Sequence, residues 1–535
     1  MEKQEVFVRK ATGLVRHVGL LDAVLLNIES NTFGLSLIYY ALIVGVFPGD
    51  PLLAAALAAL GCVPVAIAYA SMSTAMPRSG GDYVFISRVL HPALAVAASI
   101  SISAWFFFWT GAYANWVLSV GASASLQAIG SIFNIPELLG ASQVCMEIPV
   151  LLIFGSIIIL SLCLIAARSN ILAFKLLDVM VILGIIGVFL WTVSLGMMNR
   201  ASFIDRFNAY AAQYVNDPDY YHTILKTATE AGYNPNYIPT WVGTLFMIPF
   251  ATYIFPYLAA QSCVGGEVKD PGKSFFAGLL LNLLISAIMV VAAMWALINA
   301  VGLDFLSAIN YVYVNGLGYY LPTPPYFTLF AGLAAPNIIL QIIMMVGFIC
   351  WSLAIPLVNC IQVPRWLFAM AMDRVLPEKL TSVSRWATPW VGVLVMAIGS
   401  EICLIIYTLY ASVLATISAV FANILATFMV ACIAAIFLPF RKRTKVIFET
   451  APRLASLKIA GFPVMSLAGI LGAGFLGWVS YMYAVYPEYG ANNLPSIMAV
   501  VGIYIIGLLI YFIAKVYNAR RGLDISLAFK EIPPA

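Results

Sequence analysis

Charge is scarce in this chain. Asp, Glu, Lys and Arg together make up 9% of its 535 residues, against about 25% in an average soluble domain. That is too little to clothe an ordinary solvated surface. The net charge of +4 is small, so nucleic-acid binding has nothing to rest on. Histidine is scarcer still, with three in all, which leaves little room for a metal site. The sequence holds no G-x-S-x-G, no H-E-x-x-H and no phosphate-binding Gly-rich loop ending in Lys and Ser or Thr. An enzyme is therefore not expected, nor an ATP-driven pump on this chain alone, and no cofactor is called for. The eight cysteines include no pair at metal-ligand spacing, and only Cys145 falls in an expected outside loop. They read as small apolar packers, not a disulfide framework.

What the chain has instead is apolar length. Apolar residues make up 63% of it, with a mean hydropathy of +0.98. This composition predicts an all-α polytopic membrane protein, since a β-barrel would show short alternating segments. Twelve spans are predicted, at 20–45, 52–74, 94–125, 149–166, 174–197, 240–263, 276–300, 332–361, 389–409, 412–438, 462–485 and 496–517. If the N-terminus is inside, only Arg200, Arg206 and Lys226 of the 27 basic residues lie outside. The bias sets both orientation and parity, with both termini cytoplasmic and the plasma membrane the simplest location. Span 1 then serves as an uncleaved anchor. No soluble domain is predicted. Two outside segments are long. Residues 198–239 are polar and read as a short helix and loop. Residues 301–331 are aromatic and read as a membrane-surface anchor or an outer lid.

Span 1 carries a polar interruption. Asn27, Ile28, Glu29, Ser30 and Asn31, followed by Thr32 and Gly34, sit inside an apolar run long enough to cross a bilayer. Glu29 lies about 14 Å beyond a helix start near Leu20, close to the midplane. A carboxylate there costs several kcal/mol unless it meets protein, water or a ligand. The stretch is predicted to be a broken helix lining a substrate site. Span 6 carries Pro249 and Pro256, with Tyr253, Ile254 and Phe255 just before the second proline. Breaks at matching places, five spans apart, point to two inverted repeats with the binding site between them.

Other polar and aromatic residues are weighed against packing. Lys175 and Asp178 are spaced for an ion pair on one face of span 5, or for ion coupling. Glu401 in span 9 reads as structural or oligomer-facing. In span 3, Trp105, Trp109 and Tyr113 (or Trp116) are expected to share a helix face, so one of the tryptophans is a candidate gate. The ordinary role of such a stripe is packing.

Three inner-face stretches complete the pattern: M-P-R-S-G-G-D-Y-V-F-I-S-R at 76–88, G-E-V-K-D-P-G-K-S-F at 266–275, and P-R-W-L-F-A-M-A-M-D-R-V-L-P-E-K-L at 364–380 followed by T-P-W-V. Together they resemble the amino acid–polyamine–organocation superfamily of secondary transporters over nearly the whole chain. The resemblance implies a leucine-transporter-type fold. Its repeats would be residues 18–198 and 240–438, joined by an extracellular loop at 199–239. Peripheral spans would occupy 439–517, with cytoplasmic tails at 1–17 and 518–535. It also implies substrate held at the breaks of spans 1 and 6, flanked by spans 3, 8 and 10. The sequence departs from the family in having only Gly34 as a glycine at the first break, and Gly266 where an acidic residue is usual.

The expected function is a secondary active transporter of amino acids or related small organic amines, working by alternating access and coupled to protons or sodium. Asn27, Ile28, Glu29, Ser30, Asn31, Thr32 and Gly34 would contact substrate. Carbonyls at Tyr253, Ile254 and Phe255 would accept from its ammonium group. Tyr257, Leu258, Trp105 and Trp109 are candidate gates, and Glu29, Lys175 and Asp178 candidate ion-coupling groups. The alternatives are a polyamine or organic-cation carrier or exchanger, a non-transporting substrate sensor, and a channel, for which no filter or ring of pore charges is visible. The oligomeric state has no signal in the sequence.

Overall fold

Helix starts along the chain carry a common signature, a capping side chain followed in several cases by proline at the first helical position. Asp50 accepts from the backbone N–H groups of Leu52 and Leu53 ahead of Pro51. His91 caps Ala93 ahead of Pro92. Ser169 and Asn493 cap the helices that begin at Asn170 and Leu494. Such caps satisfy N–H groups that have no partner within the helix. In a computed structural model, which describes residues 13–31, 33–255, 259–335, 337–410 and 417–531, these starts open an almost entirely helical protein.

Nine helices among the described residues are long and apolar enough to cross a bilayer. They form span 2 (Pro51–Ala75), span 3 (Pro92–Ile132), span 4 (Ile148–Arg168), span 5 (Asn170–Gly196), span 7 (Pro271–Val301), span 8 (Ile338–Met372), span 9 (Trp390–Leu409), span 11 (Val464–Val485) and span 12 (Leu494–Ala519). Span 1 is two shorter helices, Leu20–Ser30 and Phe33–Leu42. Span 6 is likewise two, Trp241–Thr252 and Ala259–Cys263. Span 10 is Ile417–Phe437. The result is an all-α polytopic membrane protein of the expected class. Large apolar side chains stand exposed along the outer spans, among them Leu164, Phe189, Ile402 and Ile513. A soluble protein does not leave faces of this kind uncovered; here they meet lipid.

Span 3 runs longer than expected. It continues past Trp116 through a six-residue π turn, Val117–Ala122, to Ile132. Glycine sets the crossing of spans 5 and 8. A Cβ on Gly347 of span 8 would sit 2.7 Å from the Leu183 carbonyl oxygen of span 5, and one on Gly187 would sit 3.2 Å from the Gly347 Cα. Small residues of this kind let membrane helices approach backbone to backbone.

The polar segment after span 5 forms two helices, Arg200–Ala211 and Tyr220–Glu230. The aromatic segment after span 7 holds two more, Leu303–Val314 and Phe327–Ala334. They lock together through stacked rings of Tyr221 and Phe305, 3.9 Å apart, and an Arg200–Asp304 ion pair. Asn310 donates to the Ala41 carbonyl at 2.8 Å and so ties this layer to the end of span 1. It covers the face opposite residues 13–18, called below the far face.

Candidate functional site

The first break follows from where the polar side chains of span 1 find partners. Asn27 and Gln261, from the second half of span 6, bond each other reciprocally. Asn27 Nδ2 donates to Gln261 Oε1 at 2.9 Å, and the Gln261 N–H donates to Asn27 Oδ1 at 3.1 Å. Asn31 Nδ2 donates to Asn282 Oδ1 at 2.9 Å and to Ser286 Oγ at 3.3 Å, both on span 7. The helix ends at Ser30 and resumes at Phe33. Thr32 lies outside the described residues. Buried amides left unpaired are expensive, so these bonds fix where the first half-helix stops. In span 6 the N–H groups of Tyr253, Ile254 and Phe255 bond three residues back, to Phe250, Ala251 and Thr252. Such tightening is typical of a helix end. Pro249 is carried inside the helix and does not end it. Pro256 and the candidate gates Tyr257 and Leu258 lie outside the described residues.

The two breaks meet beside a narrow crevice, closed down to about 10 Å3, lined by Ser30 of span 1, Phe106, Trp109 and Tyr113 of span 3, and Ile355, Val358 and Asn359 of span 8. The Tyr253 ring packs against Trp109 (6.3 Å between centroids) and Tyr39 (6.2 Å). Asn359 donates to Thr110 Oγ1 at 3.0 Å, which holds its amide at the wall. Ser30, Trp109 and Tyr253 are thus brought together. Asn27 and Asn31 are turned to neighbouring helices, and Ile28 is buried. Gly34 sits against Trp351 of span 8, where a Cβ would come within 3.1 Å of the indole.

Two expectations are corrected here. Trp105 does not join the cavity wall; it packs edge-on against Phe108, and Phe106 takes its place. At 3.6 residues per turn, positions 106, 109 and 113 stay within about 60° of arc, whereas 105, 109 and 113 drift through about 80°. The Lys175–Asp178 pair does not form. Lys175 is exposed on the outside of span 5, and Asp178 faces Asp22 of span 1 instead. Glu401, on span 9, accepts from Ser156 of span 4 at 2.7 Å, in keeping with a structural role.

Glu29 is the outlier. It is fully buried, and neither carboxylate oxygen has a hydrogen-bond partner among the described residues. It lies near Cys350 of span 8, one residue before the cavity-lining Ser30. The C-terminal ends of Leu20–Ser30 and Trp241–Thr252 both lie at this level, and the negative ends of their dipoles favour positive charge there.

A family model described as amino acid permease matches residues 20–509. The chain belongs to that family. The family lies within the superfamily whose motifs the sequence resembles, and it points to a transporter. A search of curated proteins finds no match.

In this permease the three motif stretches are one interlocked layer on the face that carries residues 13–18. Glu267 is clamped by Arg365, with Nε to Oε1 at 2.6 Å and Nη2 to Oε2 at 2.8 Å, and Asn170 Nδ2 donates to Oε2 at 3.0 Å. The Glu267 carbonyl accepts from the N–H groups of His17 and Val18, so the N-terminal segment lies against this turn. Tyr83 and Arg88 both bond Asp373. Gly80, at φ +101°, donates its N–H to the Cys263 carbonyl, and a Cβ there would sit 2.4 Å from Ala369. Glycine at 266 has a local cause as well, since a Cβ there would meet Ser79 Oγ at 2.8 Å.

Sequence reasoning named these stretches but not their contacts. Gln261 shows in the sequence only as a polar residue in an apolar run, and Glu267 and Arg365 stand in two separate motifs with no sign that they meet.

Asp82, in the helix Gly81–Val89 of this layer, is also buried. Burial pushes its carboxyl from the ordinary 3.8 up to about 7, with the facing Tyr69 hydroxyl opposing. The folded protein therefore holds this proton across the interval from 3.8 to about 7, where the unfolded chain has lost it. Stability consequently falls as pH rises through that window. Asp82→Asn is expected to flatten this fall and to raise the melting temperature by several degrees at about pH 8, with little change at about pH 4. Melting curves across pH check it, and unchanged pH dependence in the variant would contradict it.

Proposed function

We propose that this permease is a secondary active transporter of amino acids or related small organic amines, coupled to protons. The observation that carries the reading is the interruption of spans 1 and 6 beside one cavity walled by spans 3 and 8. Ser30 and backbone groups at the first break meet the polar end of the cargo, while carbonyls at Tyr253, Ile254 and Phe255 accept from its ammonium group. Trp109 and Tyr113 cover its side chain. Asn27 and Asn31 shape the first break from behind, by the bonds they make to spans 6 and 7. Glu29 carries the coupling proton.

Alternating access follows from two inverted repeats, residues 18–198 and 240–438. The sequence count of 24 basic residues in the tails and loops expected on the side of residues 13–18 supports a cytoplasmic position for that face, and the plasma membrane is the simplest location. The layer joining Glu267, Arg365, Tyr83 and Asp373 closes the cytoplasmic side.

Counterflow in proteoliposomes tests the proposal. Vesicles loaded with an unlabelled amino acid are expected to take up the labelled one by exchange, and empty vesicles to accumulate it only under a proton gradient that an ionophore abolishes. Uptake blocked by amines lacking a carboxylate, and not by amino acids, would establish the organic-cation alternative. Saturable binding without counterflow would leave a sensor.

A further inference from the structure

The far face carries few cations. Arg200 pairs with Asp304, and Lys226 lies 3.7 Å from Glu230. Arg206 has no carboxylate partner among the described residues. Its Nη1 donates to the carbonyl oxygens of Leu333 (3.0 Å) and Ala334 (3.2 Å), which fixes the guanidinium in place and leaves Nε and Nη2 unengaged. This arginine lines a cleft of about 350 Å3 between span 5, span 8 and the helices Arg200–Ala211 and Phe327–Ala334. Along span 5 the lining is mostly apolar, with Leu190, Val193 and Met197 facing Leu340 and Ser194 the one polar interruption, and beyond the end of span 5 it is polar, with Asn199 and Ser202 beside Arg206.

The gradient runs along the membrane normal. Leu190 lies about two turns below the end of span 5, within the hydrocarbon, and Arg206 lies beyond that end. From Leu190 to Met197 the helix rises about 10 Å, roughly half the length of a lipid acyl chain. A free anion would leave the apolar part to water, and a pure hydrocarbon would leave the guanidinium unpaired. A molecule with a phosphate at one end and a chain at the other satisfies both. Guanidinium is also the side chain best shaped to grip phosphate oxygens.

We infer that this cleft is a binding site for one phospholipid of the far leaflet, its phosphodiester on Arg206 and Ser202 and one acyl chain along Leu190, Val193, Met197 and Leu340. The inference rests on the membrane-spanning fold and is independent of the transport reading.

Native mass spectrometry of the purified, delipidated full chain tests it, with dioleoyl-phosphatidylglycerol as the probe. The expected result is one tightly retained lipid per chain. Arg206→Gln and Leu340→Trp should each weaken its apparent affinity at least about fivefold, the first by removing the phosphate partner and the second by filling the chain's seat. Dioleoylglycerol, which has the chains and no phosphate, should not be retained. Leu340→Trp keeps the arginine and its two carbonyl contacts, so loss of lipid there with an unchanged, monodisperse elution profile does not reduce to misfolding. Wild-type retention in both variants overturns the site. So does complete displacement of the lipid by millimolar inorganic phosphate, which would make it a free-anion site.

Discussion

Arg365→Met is expected to strip about 3–5 kcal/mol from the stability of the permease, and Glu267→Leu a similar amount. Both side chains are buried to within 1% of full enclosure, and they meet in a two-point contact at 2.6 and 2.8 Å. Taking one away leaves the other charged, desolvated and without its partner. The remaining contacts show how unevenly that loss falls. Without Arg365, Glu267 keeps one donor, Asn170. Without Glu267, Arg365 keeps the Ile361 carbonyl. Neither residual bond neutralises the charge.

The double variant separates this cause from simple loss of packing. A buried ion pair replaced by apolar side chains of similar volume is often near neutral in stability, because both desolvation penalties vanish together. Glu267→Leu with Arg365→Met is therefore expected to melt well above either single variant, with a coupling energy of at least about 2 kcal/mol across the cycle. Melting temperatures of the four purified proteins measure it. Additive losses would mean that the two charges do not depend on each other.

The sequence shows the span 1 break plainly, because a carboxylate and three amide or hydroxyl side chains in the middle of an apolar run have few other uses. Span 6 is legible for a weaker reason. Proline marks it, yet Pro249 sits within a continuing helix, as membrane helices allow when neighbours satisfy the freed carbonyl. Partner identity is where reading fails. Lys175 and Asp178 have ideal spacing, but spacing along one helix says nothing of the neighbouring helix, and span 1 brings Asp22 to Asp178 first. The Glu267–Arg365 clamp joins residues 98 apart in sequence. Only the crossing of spans 5, 6 and 8 puts them together. The same holds for Gly187 and Gly347, two unremarkable glycines until their helices touch.

Glu29→Gln is expected to leave a folded permease whose uptake no longer responds to pH. Glutamine keeps the shape of the side chain and removes its ability to take or release a proton. The loss should be complete, since no second ionisable group among the described residues occupies that position beside the cavity. Structure gives the reason. Glu29 is enclosed without a hydrogen bond from any described residue, and an ionised carboxylate so placed is penalised by several kcal/mol. It is neutralised by a proton or by a cation brought close to it. A structural carboxylate would look otherwise, like Glu267 with its three donors. The variant should not melt far below wild type, because it keeps the shape of the side chain and loses no hydrogen bond to a described residue. Uptake at an inside-to-outside pH difference, compared with exchange at equal pH, reads the two roles apart. If Glu29 couples the proton, the variant keeps exchange at equal pH and loses accumulation against the gradient. If it binds the cationic group of the cargo, exchange is lost as well. Wild-type accumulation and pH response in Glu29→Gln would remove the residue from the coupling mechanism altogether.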